Sequence, residues 1–271
     1  MSRNVLPGYR LSLGFTLTYL TVLLLVPLVV CAVKASSLTA AEFWAAAWNE
    51  ETRAAYGFSF RVSFYSACAS VVLGMLVAWV LVRYEFFGKQ LVDSLIDLPF
   101  ALPTAVAGLV YSSLYYKTGW FGRYLDLVGI DIGYKPAAVV IVLTFIGLPF
   151  VVRAIQPVLE TIDADTEEAA HLLGATRWQT FCRVIFPTLL PAATTGFALS
   201  FARALGEYGS VVFVSSNMPF STQIAPQLIV ARLDVAQYAE ATAIALTLLG
   251  FSFVLLVLIN LLERWNSRHA H

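Results

Sequence analysis

The chain has 271 residues, of which 59% are hydrophobic and 13% charged, whereas an ordinary soluble protein carries about 25% charged residues. Lysine plus arginine and aspartate plus glutamate both number 17, so no excess of positive charge is available for binding nucleic acid. Cys31, Cys68 and Cys182 are too widely spaced for a disulfide scaffold or a zinc site. The composition therefore argues against a soluble enzyme and indicates a single membrane-embedded domain over residues 1–271.

Charge-free stretches long enough to cross a bilayer as a helix, about 20 residues, recur along the chain. They predict an all-α fold, a polytopic membrane bundle with six transmembrane helices. The predicted spans are residues 11–33, 60–82, 97–116, 136–155, 184–214 and 241–262. A further charge-free stretch, 208–231, contains two prolines and a polar run, and two interpretations stay open for it. It is either a re-entrant segment after the fifth span or a weak seventh span.

Six spans place both termini on the same side of the membrane. The loops on that side carry more lysine and arginine than the loops on the other side, and such loops face the cytoplasm. We therefore expect a multi-pass protein of the bacterial inner membrane with both termini cytoplasmic. The inner loop over residues 156–188 is the most polar part of the chain, which makes it the candidate for binding another protein.

Several kinds of chemistry have no matching residues in this sequence. No Gly-x-x-x-x-Gly-Lys-Ser/Thr loop for nucleotide phosphates occurs. The three histidines, His171, His269 and His271, form no cluster with metal-ligand spacing. Apart from Asp97 at the very start of the third one, the predicted spans contain no aspartate or histidine and a single glutamate, which leaves no pair for an intramembrane hydrolase. We therefore predict that the chain is not an enzyme and binds neither a metal nor a cofactor.

The inner loop reads as two short helices that meet at Gly174, a residue that can adopt left-handed geometry and end a helix. Thr166 is the expected N-cap of the first helix. Glu168, Ala169 and Ala170 follow it. From composition alone, an ordinary amphipathic helix on the inner face explains the segment equally well.

The spacing of the loop favours a more specific interpretation. The loop resembles the EAA loop of binding-protein-dependent ABC importers. The shared pattern is Glu-Ala-Ala, three residues, Gly, nine residues, an aliphatic residue, one residue, an apolar residue and proline, which is Pro187 here. The resemblance implies the type I ABC importer permease fold, with the loop as a coupling helix that docks on a separate ATP-hydrolysing subunit. ATP and Mg would then be bound by that partner. The residues so assigned to ATPase coupling are Glu168, Ala169, Ala170, Leu173, Gly174 and Pro187.

Other stretches narrow the resemblance. Residues 97–109 resemble the third span of sulfate and molybdate permeases, and residues 200–209 resemble the oxyanion branch of the same family. The run GATRWQTFCRV at 174–184 is most similar to the T-type permease subunits of bacterial sulfate/thiosulfate importers. That similarity implies three partners: a dimer of ABC ATPase subunits, a second sulfate permease subunit that completes the pore, and a periplasmic sulfate/thiosulfate-binding protein. A molybdate or tungstate permease, a secondary anion transporter and a membrane scaffold protein remain as alternatives.

Arg203 and Glu207 are four residues apart and therefore share one face of a helix. Ionisable groups inside a membrane are costly and usually functional. The functional hypothesis is that Arg203 lines the path of a divalent oxyanion while Glu207 holds its guanidinium in place. The alternatives are an ion pair that only fixes the packing of the bundle, and a pair at the outer mouth.

Pro99 and Pro103 each remove a backbone donor from the third span, and such prolines bend a helix. With Thr104 they are assigned to the translocation pathway as parts of a gate, although prolines that merely fit helices together are equally consistent with the pattern. Asp93 and Asp97 flank the preceding inner loop, and a solvated face is the default expectation for them.

Overall fold

The computed structural model describes residues 8–268, and within them the side chains at all positions except 10, 164, 260 and 262–268. All regular structure in this part of the chain is helical. The first helices are α1 (Tyr9–Leu20), α2 (Val26–Ala35), α3 (Ala40–Ala47), α4 (Glu50–Arg83), α5 (Lys89–Ile96), α6 (Leu98–Ala101), α7 (Thr104–Tyr115) and α8 (Gly122–Leu127). The remaining ones are α9 (Pro136–Glu160), α10 (Ala164–Leu172), α11 (Arg177–Thr180), α12 (Phe186–Leu205), α13 (Val211–Val214), α14 (Ala225–Asp234) and α15 (Tyr238–Arg268).

Five segments of the described chain are helical, long and apolar enough to cross a membrane. They are Leu11–Ala35, α4, α9, Arg177–Leu205 and Tyr238–Ile259, the last of which lies within α15. The first segment includes a π-helical turn between α1 and α2, and the fourth includes a π-helical turn before α12. The remaining predicted span, the third at 97–116, is also helical, but it is divided into α6 and α7. The chain is therefore a multi-pass helical membrane protein.

Pro103 divides the third predicted span. Leu102, the residue before it, is extended with ψ 133°, and Pro103 itself has ψ 128°, because the proline ring clashes with a helical conformation of the preceding residue. Pro99 behaves differently, since it lies in the first turn of α6, where a missing N–H costs no helical hydrogen bond. The expected bend thus belongs to Pro103.

Several helix ends differ from the bounds of the predicted spans. The helix of the second predicted span, α4, begins at Glu50 instead of residue 60, because Asn49 caps it by accepting a hydrogen bond from the Thr52 N–H at 2.8 Å. The helix of the fourth predicted span, α9, continues to Glu160, so five residues of the predicted inner loop are helical. The helix of the fifth span ends at Leu205, before the predicted residue 214.

Residues 208–231 form a bent segment that holds α13 and the first part of α14. The ten residues of α14 extend about 15 Å, half the thickness of the hydrocarbon core. The described structure therefore has no seventh span in the form of one continuous helix there. Ser59 of α4 holds the start of α14, because its hydroxyl accepts a hydrogen bond from the Ala225 N–H at 2.8 Å.

The centre of the bundle is formed by α4, α9 and α12. Glycines allow their close approach: a Cβ atom at Gly74 would lie 2.7 Å from Cγ1 of Val151, and one at Gly196 would lie 3.0 Å from the Cα of Val151. A Cβ at Gly147 would collide with the Ser200 hydroxyl. Small residues serve this purpose because lipid supplies no hydrophobic force between helices. Gly147 lies near the middle of α9, so Ser200 lies near mid-depth of the bundle.

Candidate functional site

The predicted pairing of Arg203 and Glu207 is present in the structure. Nη1 of Arg203 donates to Oε2 of Glu207 at 2.5 Å. The other carboxylate oxygen, Oε1, accepts hydrogen bonds from the backbone N–H of Ser210 at 2.9 Å and from its hydroxyl at 3.1 Å. The Glu207 side chain is only 2% exposed, whereas that of Arg203 is 34% exposed. Glu207 is thus enclosed and fully bonded, while about a third of the Arg203 side chain stays exposed.

This pair lies deep in the bundle and is built on a turn. Arg203 follows Ser200, at mid-depth, by one helical turn. After α12 ends at Leu205, Glu207 bonds to Ser210 and closes the turn 206–210. Burial of a carboxylate is tolerated when a cation and hydrogen-bond donors satisfy it. The turn therefore exists because Glu207 finds both kinds of partner within four residues of itself.

The turn packs directly against the start of α7. A Cβ atom at Gly108 would collide with the backbone of Ser210, and one at Gly209 would collide with the Thr104 hydroxyl. The structure thus brings Thr104, predicted as a pathway residue, to the turn that holds Arg203. No contact described in the structure joins Pro99 or Pro103 to Arg203. The roles of all five residues in translocation stay predictions.

The inner loop has the predicted shape of two short helices with a break at Gly174. Gly174 has φ +83°, and the N–H groups of Gly174 and Ala175 bond to the carbonyls of His171 and Ala170, which is the Schellman arrangement. The predicted N-cap was wrong. Asp163 occupies the cap position of α10, and Thr166 lies in the first turn with its N–H bonded to the Asp163 carbonyl.

The second short helix, α11, has a cap that the sequence reasoning missed. The Thr176 hydroxyl accepts from the Gln179 N–H at 3.3 Å, and Gln179 Oε1 accepts from the Thr176 N–H at 2.8 Å. This reciprocal pair is a capping box, recognisable as Thr-x-x-Gln in the sequence. The box lets a helix start two residues after Gly174, so the loop has a defined shape.

The predicted coupling residues lie on the surface of this loop. Glu168, Ala169, Leu173, Gly174 and Pro187 are exposed. Ala170 is half-buried. Two neighbouring leucines, Leu172 and Leu173, are each 89% exposed. Exposed apolar patches mark sites of contact with another protein or with a membrane, so these leucines are candidates for such a contact.

One ion pair attaches the loop to the inner end of α4. Nη2 of Arg83 lies 2.5 Å from Oε1 of Glu167, and the Arg83 guanidinium lies 5.7 Å from the centre of the Trp79 ring. The Trp79 ring in turn contacts the ring of Phe181 edge-on at 5.7 Å. Glu167 is therefore the residue that ties α10 to the bundle, which leaves the carboxylate of Glu168 exposed.

Asp93 and Asp97 are partly solvated, with 39% and 44% of their side chains exposed, but both carboxylates also bind Arg153, which the sequence did not indicate. Nη1 of Arg153 donates to Asp93 at 2.7 Å, and Nη2 donates to Asp97 at 2.6 Å. Asp93 and Asp97 precede Arg153 by 60 and 56 residues in the chain. Three charges cluster there at the inner end of α9, where the sequence reasoning assigned no role.

Known proteins similar to this chain include two sulfate transport system permease proteins named CysT. The one from Synechocystis sp. is 48% identical over 256 residues, which cover 94% of this chain and 90% of the relative. The one from Escherichia coli strain K12 is 43% identical over 262 residues, covering 97% and 95% respectively.

Among solved structures, a bacterial ABC transporter involved in the import of the acidic polysaccharide alginate shares this fold. Its matching chain aligns with a TM-score of 0.78 at 18% identity, over 95% of this chain and 96% of that one. The predicted permease fold is thereby confirmed. The family model described as binding-protein-dependent transport system inner membrane component matches residues 70–268. This chain belongs to that family of transport permeases, and within it to the group that contains the two sulfate transport system permease proteins.

Proposed function

We propose that this chain is the permease subunit of a bacterial importer that moves sulfate and thiosulfate inward across the inner membrane, driven by ATP. The choice of anion is supported by the names of the relatives with 43% and 48% identity. The coupling to ATP is supported by one structural observation above all, the exposed helix α10 with Leu172 and Leu173 open to water. An ordinary solvated loop has no reason to expose two neighbouring leucines.

The proposal includes the partners that the resemblance implies. They are a dimer of ABC ATPase subunits, a second sulfate permease subunit that forms a pore with this chain, and a periplasmic sulfate/thiosulfate-binding protein. ATP and Mg are held by the ATPase subunits, so this chain catalyses no reaction and binds no cofactor. Both of its termini are cytoplasmic, and residues 156–188 face the ATPase.

Movement passes from the ATPase to the bundle through bonded contacts in this mechanism. Closure of the ATPase subunits displaces α10, which is joined to α4 by the Arg83–Glu167 ion pair and to α9 by three residues of chain. The long helices then rock as rigid elements between an outward-open and an inward-open state. Arg203 offers its guanidinium to the anion, and Glu207 keeps it oriented.

Uptake of labelled sulfate tests the proposal, using cells that lack their own sulfate importer and are supplied with this chain and its three partners. Glu168→Lys should reduce uptake by about tenfold or more, since it reverses a charge on the docking surface. Glu85→Lys provides the matched charge reversal, because the Glu85 side chain is 88% exposed on the inner side outside α10 and its ion pair is the local one with Lys89, four residues away.

Two outcomes would contradict the proposal. Equal uptake by the native chain and the Glu168→Lys variant would remove the coupling role of α10. Ion-gradient-driven uptake by this chain alone in liposomes would make it a secondary transporter. Competition by molybdate without competition by thiosulfate would retain the importer and change its substrate to molybdate or tungstate.

A further inference from the structure

The charge cluster around Arg153 uses every hydrogen-bond donor of one guanidinium, which has five. Nε and Nη2 bind the two oxygens of Asp97 at 3.0 and 2.6 Å. Nη1 binds Oδ1 of Asp93 at 2.7 Å and Oε1 of Gln156 at 2.9 Å. The last donor, on Nη2, binds the backbone carbonyl of Asp93 at 3.0 Å. Such complete use of the planar fork fixes the relative orientation of the groups it joins, which a single ion pair does not.

These bonds connect elements that are otherwise weakly attached. Asp93 lies in α5, and Asp97 lies between α5 and α6. Besides the cluster, α5 and α6 are held to the bundle mainly by the buried side chain of Ile96 and by an edge-to-face contact of Phe100 with Phe150 at 5.0 Å. The aliphatic side chains on the other face of α5 are exposed. Arg153 is therefore the main polar link between this segment and α9.

The segment lies between the docking helix and the candidate anion site. On one side, α9 continues from Arg153 to Glu160, and three residues of chain then separate it from α10. On the other side, α6 leads through the break at Pro103 to α7, which packs by Thr104 and Gly108 on the turn of Glu207. A movement of α10 can reach that turn along this route only if α5 and α6 move with α9.

We propose that Arg153 is a positioning residue that makes α5 and α6 follow α9, and so couples the docking helix to the turn that holds Arg203. The proposal rests on the function proposed above. Arg153 touches neither the ATPase surface of α10 nor the anion site. Its loss is therefore expected to uncouple ATP hydrolysis from transport while both ends of the route stay intact.

The test uses the complete complex in proteoliposomes with the binding protein and sulfate, and measures sulfate transported per ATP hydrolysed. Arg153→Met keeps an unbranched apolar side chain in place of the arginine stem and removes all five donors. We expect the transported amount per ATP to fall by about tenfold in Arg153→Met and by about threefold in Asp97→Asn, within the range known for residues along a coupling route. Arg153→Lys, which keeps the charge but loses the fork, should give an intermediate ratio. ATP hydrolysis without binding protein and the yield of assembled complex should stay at native levels.

Arg61→Met is the matched control, because the guanidinium of Arg61 is exposed and bonds only to the Gly57 carbonyl in its own helix among the contacts described. A native ratio in Arg153→Met would overturn the inference. So would a parallel loss of assembly, hydrolysis and uptake in Arg153→Met, Arg153→Lys and Asp97→Asn, since that pattern indicates a static brace. If the native complex itself shows no ATP-dependent uptake, the proposed function fails instead.

Discussion

At the scale of single residues, Glu207 shows how a carboxylate is kept at mid-depth in a membrane bundle. Its three hydrogen bonds come from Arg203 and Ser210, so both oxygens are satisfied although the side chain is only 2% exposed. Removing one partner of a buried ion pair leaves an uncompensated charge, which costs about 3–5 kcal/mol. Any test of Arg203 therefore has to separate loss of the anion contact from loss of stability.

Arg203→Ala is expected to reduce sulfate uptake by about tenfold or more, the effect of losing one charged hydrogen bond to the anion. Assembly with the partner subunits is expected to persist, as measured by co-purification with a tagged ATPase subunit. The double variant Arg203→Met with Glu207→Gln removes both charges and so avoids the unpaired carboxylate. An assembled and fully active double variant would show that the pair serves packing only.

The local pair could be predicted from the sequence, whereas the Arg153 cluster could not. Residues four apart in a helix share a face, so the contact of Arg203 with Glu207 follows from their spacing alone. The partners of Arg153 are brought to it by the return of the chain through α6 and α7, and nothing near Asp93 or Asp97 in the sequence indicates that. The sequence reasoning also missed local features, such as the capping box of Thr176 and Gln179, but those follow a readable pattern, whereas the contacts of Arg153 do not.

At the scale of elements, the geometry of α10 depends on Gly174. Its φ of +83° lies in the left-handed region, where a side chain costs about 1 kcal/mol or more. A Cβ atom at this position would meet nothing within 4 Å. The cost of Gly174→Ala is therefore one of backbone conformation alone, felt at the end of α10.

We expect Gly174→Ala to lower ATP-coupled uptake several-fold by shifting the end of α10, with little change in the amount of chain in the membrane. Gly129→Ala is a closely matched control, because Gly129 also has positive φ, +75°, and free space around it, but lies in the loop after α8 on the other side. Uptake by both variants in the sulfate assay compares the same backbone strain at two places. Equal uptake in the two would argue against a special role of the α10 geometry.

The sequence predicted the presence of the long helices better than the residues at which they begin and end. The predicted second span began at residue 60, because Arg61 and the charges before it interrupt the apolar stretch, so the first ten residues of α4 were not predicted. Asn49 and the two glutamates after it are nevertheless a typical helix start. The division of the third span at Pro103 follows from the restriction that proline places on Leu102, which hydropathy does not detect. The break at Gly174 was predicted correctly because glycine in this position has one common geometry.

At the scale of the whole molecule, the direction in which the chain crosses the membrane can be tested with a cysteine of the native sequence. Cys182 is exposed in the π-helical turn before α12, on the side assigned to the cytoplasm. A membrane-impermeant maleimide should modify Cys182 in inverted vesicles and leave it unmodified in intact cells, with the modified peptide identified by mass spectrometry. The variant Cys182→Ser with Thr118→Cys, which moves the thiol to the loop between α7 and α8, should give the opposite pattern. Modification of Cys182 in intact cells would reverse the proposed topology.

The two leucines at the tip of α10 also bear on how the cell handles this subunit before it is assembled. Leu172 and Leu173 are each 89% exposed. A chain without its ATPase partner therefore presents exposed apolar side chains, which quality-control proteases recognise. We expect the orphan chain to be short-lived and each ATPase subunit that arrives to extend its lifetime. Degradation of unassembled permease would then match its abundance to that of the ATPase subunits, without a separate regulator of its synthesis.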